Sequence, residues 1–221
     1  MHARFMETDY ARLAIRSAGL DGCRFDYRGF KEIGLPLLGL YQPYNGAIVL
    51  EAVEVLRERG LNLSDEAVKQ GFALTRWPGR FEVLCEDPLT IYDGAHNMAG
   101  MTVAAESIRQ YFGGGKVNLM MGVMADKAYD AMIELLRPYT GAVYAVTPAN
   151  PRALPAAELA ACFTRHGVEK AEAYDSIKAA AAQAMKDSRR EGRPLLALGT
   201  LYMYEEAERA IRECASEVGK A

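Results

Sequence analysis

A histidine in the stretch IYDGAHNMAG, residues 91–100, lies where an anion could bind. The stretch reads as a short apolar strand that ends at Asp93, a turn that contains His96, and the small-residue start of a helix. Unsatisfied backbone N–H groups at a helix start favour an anion such as phosphate. His96 could therefore meet a phosphate, although a lone histidine is more often structural. Asp93 could cap the helix or contact a ligand.

Three further polar segments follow apolar runs of the chain. MADK comes after LMMGV, ANPRA after YAVTP, and TLY after LLALG. In an open α/β sheet, ligands bind beyond the carboxyl ends of the strands. One polar loop proves nothing, because every such loop needs turn residues, but four together indicate a site. Lys127 could belong to it or form a surface pair with Asp126, and Arg80 could reach a phosphate or only a carbonyl.

Two nucleotide-binding motifs are missing from the sequence. No GxGxxG follows a predicted strand, so an NAD site has no support, and no GxxxxGK[ST] phosphate loop is present. GGGK, residues 113–116, precedes a strand instead of following one. We interpret it as a turn between a helix and a strand.

The cysteines and the remaining histidines give no sign of a metal site. The four cysteines show no CxxC and no spacing typical of metal ligands; they are Cys23, Cys85, Cys162 and Cys214. We therefore expect thiols in a reducing cytosol. His2 and His166 have no partners in view and are expected at the surface.

The charge balance excludes some classes of partner. The chain carries 26 basic and 29 acidic residues, a net charge of −3, which argues against nucleic-acid binding. No apolar run approaches the length of a transmembrane helix, and the first ten residues lack the apolar core of a signal peptide. We expect a globular cytoplasmic protein that binds neither nucleic acid nor membrane.

From residue 77 onwards, predicted strands alternate with predicted helices. The predicted strands are FEVLCE, LTIYD, KVNLMMGV, AVYAVTP, EKAEAY and PLLALG. The first two follow each other directly, and a helical pattern precedes each of the others. Such alternation indicates βαβ units. LMMGV and LLALG are continuously apolar, as strands buried on both faces require. The sequence therefore predicts an α/β domain over residues 77–221, a Rossmann-like, mainly parallel sheet flanked by helices.

Residues 1–76 do not read as a self-contained unit. QPYNGAIVLEAVEVLRERG, residues 42–60, has helical apolar spacing with Gly60 as a plausible C-cap, and Ser64 fits the N-cap of DEAVKQGFAL. Further upstream, ETDYARLAIRSAG could form a short helix and FDYRGF alternates like a strand. Pro and Gly in TRWPGR, residues 75–80, punctuate the chain after this part.

Several motifs in order resemble one enzyme family. WPGRFEVL, residues 77–84, followed by IYDGAHNMAG, strongly resembles the folylpolyglutamate synthase and dihydrofolate synthase family, ATP-dependent amide ligases related to the Mur ligases. GLYQPYN, GVMADK, PRAL and GTLYM match further family motifs, so the resemblance covers nearly the whole chain. Tyr41, Met98 and Thr200 depart from the family pattern, where a histidine, a proline and a serine are usual.

The resemblance implies a place within a longer enzyme. Residues 77–221 would be the Mur ligase-type carboxyl-terminal domain, and residues 1–76 the end of the central ATP-binding domain plus a linker. The phosphate loop and the Mg²⁺ ligands would then lie in a preceding amino-terminal part. The 221-residue chain alone is expected to be inactive, and its exposed interdomain face could favour self-association.

The family reaction implies roles for several residues. ATP phosphorylates a carboxylate of folate or dihydropteroate, and the amine of L-glutamate attacks the acyl phosphate to give an amide. Asn45, Arg80 and Asp93 are implied as ATP contacts, at the adenine, the phosphates and the ribose respectively. His96 is implied as the catalytic residue, facing the phosphates or the acyl phosphate.

The resemblance also implies residues that bind the incoming glutamate, and alternative functions remain. Lys127 and Thr200 resemble positions that hold the glutamate carboxylate in related ligases. The implied cofactors are ATP and Mg²⁺. Other interpretations stay open: a non-catalytic module that binds a nucleotide or a folate, half of a split ligase, a structural remnant, or a Mur-type ligase with another acceptor acid.

Overall fold

The computed structural model describes residues 5–218, and within them the chain divides after Pro78 into two units. His2 lies outside the described residues. The first unit contains three strands and two helices, namely β1 (Leu13–Gly19), β2 (Gly22–Tyr27), β3 (Phe30–Leu35), α1 (Gln42–Glu58) and α2 (Asp65–Ala73). Its strands form an antiparallel sheet in the order β1-β2-β3, and the helices cover a core that includes Phe25, Ile33 and Phe72.

Two predictions for the start of the chain are wrong. ETDYARLAIRSAG is not a helix, because after one 3₁₀ turn its residues 13–19 pair with β2 along a hairpin ladder, and this pairing overrides local helix propensity. FDYRGF is not one strand, because a two-residue turn at Arg28 and Gly29 separates Tyr27 from its partner Phe30. Arg28 adopts a left-handed φ of 48° there.

The two helix predictions of the first unit are confirmed. α1 spans Gln42–Glu58, and Gly60 follows its end with a left-handed φ of 92°. Ser64 caps α2 by accepting a hydrogen bond from the Ala67 N–H at 3.1 Å. The buried face of α1 is not the one that its apolar spacing predicts, because Ile48 and Val49 are half exposed while Gly46 packs inward on Phe25.

The second unit is a six-stranded sheet with five helices. Its elements are β4 (Glu82–Glu86), β5 (Leu89–Asp93), α3 (Met98–Tyr111), β6 (Val117–Met121), α4 (Tyr129–Leu136), β7 (Thr140–Ala145), α5 (Ala156–Arg165), β8 (Lys170–Ala173), α6 (Ile177–Glu191), β9 (Leu195–Leu198) and α7 (Tyr204–Val218). The strand order is β4-β5-β9-β6-β7-β8. β4 runs antiparallel to β5, and the other neighbours are parallel. The predicted α/β class and mainly parallel sheet are confirmed.

The central strands are buried on both faces, as their apolar runs predict. Met120 and Ala197 pack with residues of α6 and α7, while the alternate residues Leu119 and Leu196 are buried as well. GGGK, residues 113–116, joins α3 to β6 as expected, with Gly113 and Gly114 in the left-handed region. Among residues 5–218, no helix is both long enough and apolar enough to cross a membrane.

Candidate functional site

Four polar loops meet at one edge of the second sheet. They follow β5, β9, β6 and β7, which are consecutive neighbours in the sheet, and all four strands are parallel. The carboxyl ends of parallel strands share an edge, so the DGAH, GTLY, GVMADK and TPANPRAL segments lie side by side. The topology thus gathers the segments that the sequence singles out, and the site is built from them.

Asp93 organises the turn after β5. It is 6% exposed, and its two carboxylate oxygens accept the N–H of Phe81 at 2.9 Å and the N–H of Ala95 at 2.8 Å. Burial raises the pKa of Asp93, and the two N–H groups and the charges of Arg80 and His96 oppose that rise. Asp93 is therefore not the N-cap of the following helix, a role that Asn97 fills by accepting the Gly100 N–H.

Close packing joins the WPGR, DGAH and GTLY segments. The Gly94 N–H donates to the Gly79 carbonyl at 2.8 Å. A Cβ atom on Gly94 would lie 2.4 Å from Leu201 Cδ2, and one on Gly79 would lie 2.8 Å from the same atom. A side chain at either position would force Leu201 to move, and Gly79 also has a left-handed φ of 73°, which favours glycine. The contact carries Arg80 next to the DGAH turn.

His96 is exposed at the start of α3, two residues before Met98. Its Nδ1 lies 2.8 Å from the Gly94 carbonyl oxygen. Because a carbonyl only accepts, Nδ1 donates its N–H to Gly94, and Nε2 is the ring nitrogen that remains for a ligand. The ring stands beside the N–H groups of the helix start, which favour an anion.

Asp126 links the loops after β6 and β7. Its Oδ2 lies 3.2 Å from Arg152 Nη1 and 4.0 Å from Lys127 Nζ. Backbone bonds hold the same two loops together, with the Ala125 N–H on the Arg152 carbonyl and the Leu154 N–H on the Val123 carbonyl. Two cations on one carboxylate leave a net positive group that can attract an acid.

Thr200 is buried at the start of the GTLY turn. Its hydroxyl accepts the Tyr202 N–H at 3.2 Å, and its carbonyl accepts the Tyr92 hydroxyl at 2.6 Å. Gly199 before it has a φ of 117°, and a Cβ there would lie 2.2 Å from the Gly122 carbonyl oxygen. The segment is thus tied to β5 on one side and to the loop after β6 on the other.

Asn45 lies in the first unit, in the first turn of α1. Its Nδ2 donates to Oε1 of buried Gln42 at 3.2 Å. Asn45 borders a mostly apolar cleft of about 400 Å³ whose walls include Val49, Val53 and Phe72. An apolar cleft with a few polar groups can hold a flat heteroaromatic ring.

The structure also gives partners to residues whose role the sequence did not reveal. Tyr92 and Arg152 connect motif segments, but their partners lie 108 and 26 positions away, so no local pattern announces them. His166 is not the partnerless surface residue that we expected, because its ring lies against Asp130 and Glu134. The helical spacing of Asp130 with Glu134, and of Cys162 with His166, is the signal that could have indicated this cluster.

One family model and several known proteins are similar to this chain. The family model described as "Mur ligase, glutamate ligase domain" matches residues 79–201. Folylpolyglutamate synthase of Lacticaseibacillus casei is 31% identical over 188 residues, which cover 82% of this chain and 42% of that protein. Dihydrofolate synthase/folylpolyglutamate synthase of Bacillus subtilis is 33% identical over 131 residues, covering 59% of this chain and 30% of that protein.

A solved structure extends the similarity to the fold. Folylpolyglutamate synthase of Mycobacterium tuberculosis, complexed with ADP, superimposes with a TM-score of 0.78 at 25% identity. The superposition covers 91% of this chain and 48% of that one. The chain therefore spans less than half the length of these relatives.

Proposed function

This chain belongs to the family of Mur ligase glutamate ligase domains, and we propose that it forms the carboxyl-terminal part of an ATP-dependent ligase that adds glutamate to a folate. The observation that carries the proposal is the junction of the WPGR, DGAH and GTLY segments, where Gly79 and Gly94 pack on Leu201. Residues 1–76 would be the end of a central ATP-binding domain, and residues 77–221 the carboxyl-terminal domain. The dihydropteroate-specific and folate-specific forms of the activity share this chemistry.

The family resemblance implies three residues of this chain as nucleotide contacts. Asn45 would bind the adenine at the rim of its apolar cleft, Asp93 would accept hydrogen bonds from the ribose through its remaining lone pairs, and Arg80 would contact the phosphates. The ADP in the solved relative supports a nucleotide as ligand.

The reaction would proceed in two steps. In the first step, the substrate carboxylate takes the γ-phosphoryl group of ATP, and ADP is the leaving group. In the second step, the glutamate amine attacks the acyl carbon, phosphate leaves, and the amine loses a proton as the amide forms. His96 would direct Nε2 at the transferring phosphoryl group or at the acyl phosphate, where positioning and charge supply most of the rate. Lys127, which lies near Arg152 on Asp126, and Thr200 would hold the carboxylate of the glutamate.

The four loops of the candidate site do not offer a set of carboxylate oxygens suited to Mg²⁺. Their two acidic side chains are Asp93, whose oxygens accept backbone N–H groups, and Asp126, which pairs with Arg152. Mg²⁺ prefers oxygen ligands in an octahedral arrangement, and its family ligands would come from the amino-terminal part. No step through the metal is therefore assigned to this chain.

His96→Ala in the complete native polypeptide tests the proposal. We expect glutamate incorporation into folate to fall roughly 10²-fold in kcat, the usual loss when one group that stabilises a transition state is removed. The matched control is Lys178→Ala, an exposed residue paired with Glu213. Unchanged turnover of the His96 variant would refute the role of His96, and absence of any glutamate incorporation by the native protein would refute the function.

A second candidate is a nucleotide-binding module without catalysis. It is favoured by one observation, that no GxxxxGK[ST] phosphate loop occurs in the 221 residues. Calorimetry of this chain with ADP, together with the glutamate assay on the native polypeptide, separates the two functions. ADP binding without glutamate incorporation would favour the module, and incorporation would favour the ligase.

A further inference from the structure

Four side chains of helices α4 and α5 form a cluster that the proposed ligase function does not use. Asp130 lies in the first turn of α4 and Glu134 four residues later, while Cys162 lies in the last turn of α5 and His166 is the C-cap of that helix. Within residues 5–218, the ligand atoms of Asp130, Cys162 and His166 all lie within 4.8 Å of one another. The cluster brings together a thiol, an imidazole and a carboxylate. A salt bridge would need only the imidazole and the carboxylate.

The orientation of the His166 ring is that of a metal ligand. Its Nδ1 lies 2.7 Å from Oε2 of Glu134, and its Nε2 lies 3.1 Å from Oδ1 of Asp130. A histidine that binds a metal through one nitrogen usually donates its other ring N–H to a carboxylate. Glu134 takes that N–H and thereby leaves Nε2 to point at Asp130 and Cys162.

Two of the three distances between the ligand atoms are close to those of a tetrahedral zinc site. Bond lengths of about 2.3 Å to sulfur and about 2.0–2.1 Å to nitrogen or oxygen place neighbouring ligands roughly 3.3–3.6 Å apart. Oδ1 of Asp130 is 3.2 Å from Sγ of Cys162 and 3.1 Å from Nε2 of His166, and the three atoms all lie within 4.8 Å of one another. Rotation of these side chains can bring them to the spacing that zinc requires. A thiolate with an imidazole also selects zinc over Mg²⁺ or Ca²⁺, which prefer all-oxygen sites.

We propose that Asp130, Cys162 and His166 bind one Zn²⁺ ion, with Glu134 orienting the imidazole and a water molecule in the fourth position. The fourth position faces solvent because the Asp130 side chain is 68% exposed. On binding, the ion displaces the proton of Cys162 Sγ and any proton on His166 Nε2. The metal ties the start of α4 to the end of α5, and Asp130 follows Lys127 by three positions, so the ion braces the end of the GVMADK loop.

The competing arrangement is a metal-free clasp between an imidazolium and two carboxylates. Hydrogen bonds to Asp130 and Glu134 raise the pKa of His166, and burial raises the pKa of Cys162 to about 11. Such a clasp needs His166 and the two carboxylates, and the Cys162 thiol adds only a weak hydrogen bond to Oδ1 of Asp130. Dependence on Cys162 is therefore what separates the two arrangements.

The test is a metal titration of tag-free protein after dialysis against a chelator. Zn²⁺ is titrated by calorimetry, and Co²⁺ by absorption, where a thiolate ligand adds a sulfur-to-cobalt charge-transfer band. We expect one ion per chain and the charge-transfer band. Cys162→Ser should abolish the band, and Glu134→Gln should weaken Zn²⁺ binding roughly 10–100-fold. Cys85→Ser, a thiol that donates to the Asp87 carbonyl elsewhere, is the matched control and should change neither.

Two results with the native chain and with Cys162→Ser would overturn the proposal, and a third comes from Asp130→Asn. One is the absence of Zn²⁺ binding, and the other is Co²⁺ binding with no charge-transfer band or with a band that survives Cys162→Ser. Because Cys162 is buried, circular dichroism must show that its variant is folded. Asp130→Asn, at an exposed side chain, gives a second variant that keeps the fold, and unchanged Zn²⁺ affinity in it would also contradict the site.

Discussion

Tyr92 shows how single side chains align the loops of the candidate site. Its ring is fully buried and meets Tyr204 edge-on, with 5.1 Å between ring centroids. Its hydroxyl donates to the carbonyl of Thr200, which begins the GTLY turn. β5 also ends in Asp93. The Tyr92 hydrogen bond therefore holds the DGAH and GTLY segments together at the carboxyl edge of the sheet.

Tyr92→Phe removes that bond and leaves the buried Thr200 carbonyl without its donor. We expect the free energy of unfolding to fall by about 1–2 kcal/mol, the usual cost of one buried hydrogen-bond partner. Urea unfolding measures the change. Tyr10→Phe is the control, because Tyr10 is 44% exposed, and an equal loss in both variants would contradict the bond's importance.

Gly46 shows why a helix can reject a residue with better helix propensity. A Cβ atom at Gly46 of α1 would lie 2.4 Å from Cζ of Phe25, whose ring is fully buried in the core of the first unit. Gly71 lies within α2, and a Cβ atom there would meet nothing within 4 Å. The two helices therefore give a pair of helical glycines that differ in the space around them.

Alanine should have opposite effects at the two glycines. Gly71→Ala should stabilise the protein by about 0.5–1 kcal/mol, through the higher helix propensity of alanine. Gly46→Ala should destabilise it by about 1–3 kcal/mol, because the added methyl overpacks the core. Thermal unfolding followed by circular dichroism measures both. A gain of stability in both variants would show that α1 moves away from Phe25 without cost.

The second unit could be predicted from sequence because its local signals agree with its tertiary structure. β9 is a continuous apolar run, β6 is apolar except for Asn118, and α3 begins at an N-cap in Asn97, so these elements form where their local patterns are clear. The hairpin of β1 and β2 could not be predicted, because pairing between strands decided a segment with mixed local preference.

The candidate site was predictable only in part. Chain order and the carboxyl-end rule place Asp93, His96 and Lys127 at one edge of the sheet, as the structure does. Their partners depend on packing between distant segments, as with Arg152 on Asp126, and no residue pattern encodes such a contact. The ligand roles of these residues stay predictions.

Among the described residues, each unit buries hydrophobic residues of its own. The first unit is built around Phe25, Tyr27 and Ile33, and the second around residues of its sheet and of α6 and α7. Polar groups reinforce the second core, since buried Asp187 of α6 accepts from Lys170 Nζ at 2.6 Å and from the Tyr144 hydroxyl at 2.7 Å. Although burial opposes it, these donors and Gln183 hold the pKa of Asp187 well below its usual range.

Because each core has its own residues, a core substitution should lower chiefly the thermal transition of its own unit. Asp187→Ala leaves Lys170 and Tyr144 without their shared acceptor, and should cost the second unit about 3 kcal/mol. Gly46→Ala should lower the transition of the first unit instead. Differential scanning calorimetry of the whole chain, with hydrogen exchange to assign each transition, distinguishes the two. A single transition that both variants shift equally would mean that the two cores unfold as one cooperative unit, and each core would then depend on the other for its stability.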